Sequence, residues 1–309
     1  LDSYSHDNSF IPPMPPRLVV RPRNADDVQK IVMWANQTRT PLVPVSSGEP
    51  RFRGDTVPSV PEAVIVDLRG MDKIVRIDRR NRMVIIEPGV TYGQLQPALA
   101  QEGLILSTPL LPRQSKSVVA SLLEREPTLI PKYNYTLPEP LRCLEVVWGN
   151  GEMMRTGEAG GYYPTLEDQW KMGLAQVFSG GPGQVDYYRL ISGAQGSMGI
   201  VTWASVKCEI LPKVHKFFFI PADDLKRLIE SAYRLLRVRL GDEFLVLNSA
   251  NLALILGRDA KEIRALNNKL PPWAIVMGIA GRDLFPEEQV DFQEKDTRDI
   301  VQQLSLIHI

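Results

Sequence analysis

The sequence predicts an α+β fold rather than a doubly wound parallel sheet, and three observations lead to this prediction. A strand, a helix and a second strand follow one another before Val45, which is typical of a βαβ unit. An Asn-Gly turn at Asn150 and Gly151 lies between two apolar runs, which indicates an antiparallel hairpin. After Pro212, strands alternate with amphipathic helices. Parallel and antiparallel signals in one chain favour the α+β class.

The first unit begins with a strand at Leu18–Arg21. Asn24 then stands where a helix N-cap belongs, and Asp26 and Asp27 suit the first turn of a helix. Apolar residues recur at i, i+3, i+4 and i+7 from Val28, which predicts a helix with one buried face. The next strand is Pro41–Val45.

The middle of the chain is predicted to form six strands, two of them in a hairpin, and two helices. Thr91 and Gln94 have the spacing of a capping box, and Gly103 stands where the helix would end. A second helix is predicted at Thr165–Gln176. The predicted strands are Ala63–Leu68, Ile74–Asp78, Met83–Glu87, Leu144–Trp148, Glu152–Arg155 and Gly199–Leu211.

A domain boundary is predicted near Pro212, which gives one domain at residues 12–212 and another at residues 213–309. In the second domain a helix opens at Asp223 or Asp224, and another begins at Pro286. The strands expected there are Phe217–Ile220, Phe244–Leu247, Leu252–Leu256 and Trp273–Ile279. The chain starts at Leu1 and ends in a short apolar tail, so we expect a C-terminally truncated protein.

Composition argues against several classes of protein. The 309 residues include 36 basic and 36 acidic side chains, so no basic excess exists to hold nucleic acid. The two cysteines and three histidines are all dispersed, which argues against a metal site within the chain. No run approaches the roughly 18 apolar residues of a membrane span, and no signal peptide is apparent. We therefore expect a cytoplasmic protein without a membrane span.

Three segments of the sequence indicate a ligand-binding function. The loop at Ser46–Pro50 follows a strand, and its small residues can turn backbone N–H groups toward the oxygens of a diphosphate. Alone, such a loop is usually an ordinary turn. Glu87–Leu95, which reads EPGVTYGQL, follows about 40 residues later. Ser192–Thr202, which reads SGAQGSMGIVT, opens the strand beyond Gly199.

These segments, in this order, resemble the FAD-binding domain of the vanillyl-alcohol-oxidase/p-cresol-methylhydroxylase (PCMH-type) family. Residues 117–157 also resemble the second flavin segment of its phenol-oxidising branch. The resemblance covers residues 16–212 closely and the remainder loosely. It implies a two-subdomain PCMH-type FAD-binding domain followed by part of an α+β substrate (cap) domain.

The resemblance also implies which residues hold FAD. The loop would cradle the diphosphate, Gly89 and Val90 would pass near the cofactor, and Gly199–Val201 would run past the ribityl chain and isoalloxazine. Many relatives attach FAD through a histidine in this loop, which has none here, so we expect non-covalent binding. The predicted FAD-binding residues are Val45, Ser46, Ser47, Gly48, Glu49, Pro50, Gly89, Val90, Pro112, Ser117, Val118, Gly199, Ile200 and Val201.

The implied activity is oxidation of an alcohol or hydroxy acid, which could be aryl or phenolic, by hydride transfer to flavin N5. Glu49 stands where the phenol-oxidising branch has a tyrosine, which weakens the case for a phenol. Tyr133–Tyr135 and Glu139 fall where that branch places an acid near N5, but no catalytic residue is assigned. The implied partners are a small-molecule substrate and either oxygen or a redox protein as electron acceptor, with a homodimer possible.

Three alternatives remain open. The chain could be a non-catalytic or degenerate FAD-binding module, or a fragment that binds nothing. A reductase of the UDP-N-acetylenolpyruvoylglucosamine type shares the flavin domain, but Ser192–Thr202 and the second domain fit it poorly.

Overall fold

The structure is a computed structural model that describes residues 1–54, 56–129 and 140–303. Within these ranges the chain forms two compact units. Residues 1–126 and 140–209 make up the first, and residues 127–129 and 210–303 make up the second. Helices and both kinds of sheet are present, so the predicted α+β class is confirmed. The predicted roles of the two domains in binding FAD and substrate, and the predicted domain boundary at residue 212, stay predictions.

The first unit contains two main sheets and five α-helices within its described residues. Its helices are α1 (Ala25–Thr38), α2 (Tyr92–Gln101), α3 (Val118–Leu123), α4 (Leu166–Lys171) and α5 (Tyr188–Ile191). Its strands are β1 (Leu18–Val20), β2 (Leu42–Val45), β3 (Val64–Asp67), β4 (Ile74–Asp78), β5 (Met83–Ile86), β6 (Leu104–Ile105), β7 (Leu141–Trp148), β8 (Met153–Arg155) and β9 (Gly199–Lys207). A two-residue strand, β10 (Glu209–Ile210), lies where the chain passes from one unit to the next.

The predicted βαβ unit is confirmed. Strands β1, β3 and β2 form a parallel sheet in that order, and helix α1 connects β1 to β2. The Asn24 side chain caps the helix by accepting a hydrogen bond from the N–H of Asp27 at 2.9 Å. The loop that follows Val45 therefore leaves the carboxyl end of a parallel strand, the edge at which ligands commonly bind in such sheets.

The second sheet has the order β4-β5-β9-β7-β8, and its neighbouring strands are antiparallel. Strands β7 and β8 confirm the predicted hairpin. Thr91 and Gln94 form the predicted capping box of α2. Two other elements end several residues earlier than predicted: the helix expected at Thr165–Gln176 ends at Lys171, and the strand expected at Gly199–Leu211 ends at Lys207.

Helix α1 links the two sheets of the first unit. Its Val28 and Val32 share one buried cluster with Val66 of β3, Val147 of β7 and Ile200 of β9. Burying these side chains together supplies the hydrophobic free energy that places one sheet against the other. The end of β2 and the start of β9 are thereby brought to the same region of the unit.

The second unit has an antiparallel sheet of three strands. Its core lies between this sheet and two helices, with Leu228, Leu235, Ile275, Val290 and Val301 buried in one cluster. The strand order is β11-β13-β12. The elements are β11 (Val214–Ala222), β12 (Glu243–Asn248), β13 (Trp273–Gly281), α6 (Leu225–Arg237), α7 (Ser249–Leu256), α8 (Ala260–Asn267) and α9 (Pro286–Gln303).

The strand predicted at Leu252–Leu256 was wrong, because these residues belong to helix α7. Asn248 caps this helix by accepting a hydrogen bond from the N–H of Asn251 at 2.8 Å. The apolar run consists mainly of leucine and alanine, which favour helices, and a short apolar run has no period that separates helix from strand. None of the described helices is both long and apolar enough to cross a bilayer.

Asp67, the last residue of β3, is buried in a polar cluster. It accepts hydrogen bonds from Tyr4 Oη at 2.8 Å and from Arg69 Nε at 2.9 Å, and Arg21 Nε lies 3.2 Å away. Burial works to raise the pKa of Asp67, but the hydrogen bonds from Arg69 and Tyr4 outweigh it and lower the pKa to about 2. The folded protein therefore holds Asp67 as a carboxylate.

We expect Asp67 to make stability depend on pH in acid. Its pKa is lower in the folded than in the unfolded chain, so its contribution is complete above about pH 4 and is lost as the pH falls toward 2. This contribution is on the order of 2 kcal/mol. Urea unfolding between about pH 5 and pH 2 should show a steeper fall for the wild type than for Asp67→Asn, with Tyr4→Phe in between. Equal slopes for the wild type and Asp67→Asn would contradict this account.

Candidate functional site

A cavity of about 210 Å³ lies in the first unit, and all three predicted segments contribute to its lining, Glu87–Leu95 through Pro88 alone. Val45, Ser46 and Ser47 come from the end of β2 and the loop after it, and Gly199, Ile200 and Val201 open β9. These segments are about 150 residues apart in the sequence, and the packing around α1 brings them to one place. Six of the fourteen predicted residues therefore share a single cavity.

The loop after β2 is held by residues 113–117, which we call the strap. The Gly48 N–H donates to the carbonyl oxygen of Ser115 at 2.8 Å, and Ser115 Oγ donates to the Glu49 carbonyl oxygen at 2.8 Å. The Ser117 N–H donates to Ser47 Oγ at 3.2 Å. Since the Gly48 N–H is already used and Pro50 has none, the loop offers fewer amides to a diphosphate than its sequence suggests.

The strap leads into helix α3 and contacts the turn at Gly89. Ser117 caps α3, and its hydroxyl also donates to the Pro88 carbonyl oxygen at 2.6 Å. The Val118 N–H donates to the carbonyl oxygen of buried Val90 at 3.0 Å. Gly89, Val90, Ser117 and Val118 lie outside the lining of the cavity and support its wall. Their neighbours Pro88 and Val119 line it instead.

The remaining predicted residues also lie near the cavity without lining it. Gly48, Glu49 and Pro50 belong to the loop beyond Ser47, and Pro112 precedes Arg113, which does line the cavity. Gly89 packs against the chain itself, because a Cβ there would lie 2.6–2.8 Å from the carbonyl oxygens of Leu68, Arg69 and Met71. Tyr133–Tyr135 and Glu139 lie outside the described residues.

Sequence reasoning missed the cations of the site. Arg51, Arg53, Arg113 and Lys116 all line the cavity. Arginine and lysine are usually surface residues, so no local pattern marks these four as cavity residues. The nearest signal was the run of Arg51 and Arg53 directly after the loop.

Two of these cations form an ion-pair network with two carboxylates. Lys116 Nζ lies 2.7 Å from a carboxylate oxygen of Glu124, and Arg53 Nη1 lies 2.9 Å from the same oxygen. Arg53 Nη2 lies 2.7 Å from Glu126, which also accepts a hydrogen bond from Ser121. Among the described residues that line the cavity, Glu124 carries the single carboxylate.

Residues 16–157 match the family model of an FAD binding domain. This match covers slightly less than half of the chain. A glycolate oxidase subunit, GlcD, of Bacillus subtilis strain 168 is 29% identical over 214 residues, which cover 69% of this chain and 41% of that protein. The 4-cresol dehydrogenase (hydroxylating) flavoprotein subunit of Pseudomonas putida is 28% identical over 166 residues, which cover 49% and 31%.

Solved structures confirm the predicted PCMH-type fold. A p-cresol methylhydroxylase with substrate bound aligns with a TM-score of 0.78 at 22% identity, over 98% of this chain and 59% of the other. At this identity the likeness concerns the fold alone. The chain spans less than two thirds of the length of each of these three proteins.

The residues that line the cavity fit FAD, the cofactor that the matched domain model implies. Ser46, Ser47 and Gly199 allow a ligand to approach the backbone closely, and basic side chains suit the two negative charges of a diphosphate. Arg113 Nη1 is buried and has no hydrogen-bond partner among the described residues. A buried donor without a partner is costly, and an anionic ligand would satisfy it. No group of three or more metal-ligating side chains occurs in the described ranges.

The backbone contact at Gly89 gives a prediction about stability. Gly89→Ala should lower the free energy of unfolding by about 1–3 kcal/mol, because its Cβ would meet three carbonyl oxygens that cannot move without shifting the chain. Gly70→Ala is the matched control, since a Cβ there meets nothing within 4 Å. Urea unfolding of the flavin-free protein measures both. Equal losses in the two variants would show that this contact is not the cause.

Proposed function

We propose that this chain is the FAD-binding part of an oxidoreductase that oxidises an alcohol or a hydroxy acid. One observation carries the proposal: the loop after β2 and the start of β9 line one cavity, as an FAD site shared by these segments requires. The names of two relatives, a glycolate oxidase subunit and a 4-cresol dehydrogenase subunit, support a hydroxy acid or a phenolic side chain as substrate class. Glu49 in the place of a loop tyrosine favours the hydroxy acid.

The cavity residues would hold FAD without a covalent bond. Bound FAD supplies the hydride acceptor, and the protein holds the cofactor and orients the substrate. The loop at Ser46–Pro50 contains no histidine that could attach to the flavin. Val45–Ser47, Gly199–Val201 and the cations beside them would bind the cofactor through backbone amides and charge.

Glu124 is the group we assign to accept a proton from the substrate hydroxyl. It lines the cavity, and the ion pairs with Lys116 and Arg53 hold its carboxylate in one orientation. A general base must be unprotonated and must lie within hydrogen-bond reach of the proton that it removes. Glu126 belongs to the same network but does not line the cavity, so it cannot take this role.

The visible spectrum of the purified protein tests the cofactor and the reaction class. We expect flavin absorption bands, and we expect acid precipitation to release the flavin into the supernatant. Anaerobic addition of glycolate, D-lactate or a 4-alkylphenol should bleach these bands with one substrate class. A protein without flavin would refute the proposal, and a flavin that no substrate bleaches would favour the non-catalytic FAD-binding module.

Substitution at Glu124 tests the proton acceptor. Glu124→Gln should slow flavin bleaching by roughly 100- to 10,000-fold, because the amide keeps the size of the side chain but cannot accept the proton. Glu126→Gln is the matched control, since it removes a charge from the same network away from the cavity. Anaerobic stopped-flow of the flavin-loaded variants measures both rates. Similar rates in Glu124→Gln and wild type would exclude this role.

A further inference from the structure

The four cations of the cavity differ in what they bind. Arg51 is buried and donates from Nη1 to the Ser3 carbonyl oxygen at 2.8 Å and from Nε to the Ser47 carbonyl oxygen at 3.3 Å. Lys116 and Arg53 are paired with the carboxylates of Glu124 and Glu126. Each of these three cations therefore already has partners within the protein.

Arg113 is the exception. Its Nη1 is buried and donates to no partner in the parts of the chain that the structure describes. Its guanidinium carbon lies 5.2 Å from the centre of the Phe52 ring, which also lines the cavity. Stacking on an aromatic ring fixes the plane of a guanidinium but satisfies none of its N–H donors. The donor is thus held in the wall of the cavity with its hydrogen bond unmade.

The position of Arg113 in the strap indicates which anion it would meet. Hydrogen bonds from Gly48 to Ser115 and from Ser117 to Ser47 fasten the strap to the loop after β2. Arg113 therefore lies beside the loop that we predict to cradle the diphosphate. That loop offers few amide donors to a ligand, because the Gly48 N–H donates to Ser115 and Pro50 has no N–H.

We propose that Arg113 binds the diphosphate of FAD and replaces donors that the loop does not offer. This proposal rests on the FAD site proposed above. A guanidinium can make two parallel hydrogen bonds to phosphate oxygens and stays charged at every physiological pH. Its stem and ring contact with Phe52 orient the fork before the ligand arrives, which reduces the entropy cost of binding.

An anionic substrate is the competing ligand for the same guanidinium. A substrate carboxylate has the same bidentate geometry as a phosphate edge. The strap favours the diphosphate, because it joins Arg113 to the diphosphate loop. Comparing ligands with and without phosphate separates the two possibilities.

The test compares FAD with riboflavin, which lacks the diphosphate. Flavin-free wild type, Arg113→Met and Arg113→Lys are titrated with each ligand, and fluorescence quenching gives the dissociation constants. Arg113→Met keeps an apolar stem over Phe52 and removes the charge. We expect its affinity for FAD to fall by roughly 10- to 100-fold while its affinity for riboflavin stays within about 3-fold, because one charged hydrogen-bond donor is lost. Arg113→Lys keeps a charge without the fork and should fall between the two.

The control variant is Arg80→Gln, which removes an exposed arginine in the turn between β4 and β5. It should bind both ligands as the wild type does.

Each of the other outcomes decides a different point. Wild type that binds no FAD would refute the proposed FAD site itself. Wild-type FAD affinity in Arg113→Met would overturn only the role of Arg113, and a changed Michaelis constant for a carboxylate substrate would then assign it to the substrate. Equal losses for FAD and riboflavin would also overturn it, since Arg113 would then support the fold. If Arg113→Met does not fold, as judged by circular dichroism, wild-type FAD affinity in Arg113→Lys decides against the proposal.

Discussion

The hydrogen bonds between the loop after β2 and the strap hold the candidate site together. They join the end of a parallel sheet to the first turn of α3, and Ser117 extends the connection to Pro88. Without them the loop would be an exposed turn with no fixed direction. A serine hydroxyl takes part in two of the three bonds between the loop and the strap, so the side chains of Ser47 and Ser115 help to fix the loop. Arg113 makes none of these bonds, so a substitution there can alter the lining of the cavity while the loop keeps its position.

Charge balance explains how four cations coexist around one small cavity. Glu124 and Glu126 offset Lys116 and Arg53, so this part of the wall is close to neutral. Partly buried charges are tolerated when they are paired and hydrogen-bonded, and removing one partner leaves the other uncompensated. The network therefore links any acid–base role of Glu124 to the stability of the cavity wall. Arg51 in turn lies 3.7 Å from the Glu49 carboxylate, so the remaining positive charge of the cavity lies on Arg113 in the strap.

Local chemistry made much of the fold predictable from the sequence. The caps at Asn24 and Thr91 and the hairpin at Asn150 depend on neighbouring residues, and all three are confirmed. The error at Leu252–Leu256 arose because a short apolar run carries no decisive period. Motifs also predicted that the loop after β2 and the start of β9 belong to one ligand site, and the structure brings them to one cavity.

The electrostatics of the site could not be predicted in the same way. Arg53 and Glu124 are 71 residues apart, and their pairing depends on how the strap folds over the loop. Nothing in the sequence around Arg113 distinguishes it from an ordinary surface arginine. The role of Gly89 was likewise visible only in three dimensions, because the atoms that exclude a side chain belong to Leu68–Met71. Long-range contacts of this kind follow from tertiary packing and produce no periodic pattern in the sequence.

The buried Arg51 gives the first few residues of the chain an influence on the ligand site. Its guanidinium connects the carbonyl oxygen of Ser3 with that of Ser47, and it stacks on the Tyr4 ring at 4.8 Å. A protein expressed from Leu18 onward would keep every strand of the parallel sheet but would lose one acceptor of this buried cation and the phenol that donates to Asp67. Versions of the protein made for crystallisation or for fusion to a reporter should therefore retain this leading segment, although none of its described residues lines the cavity itself.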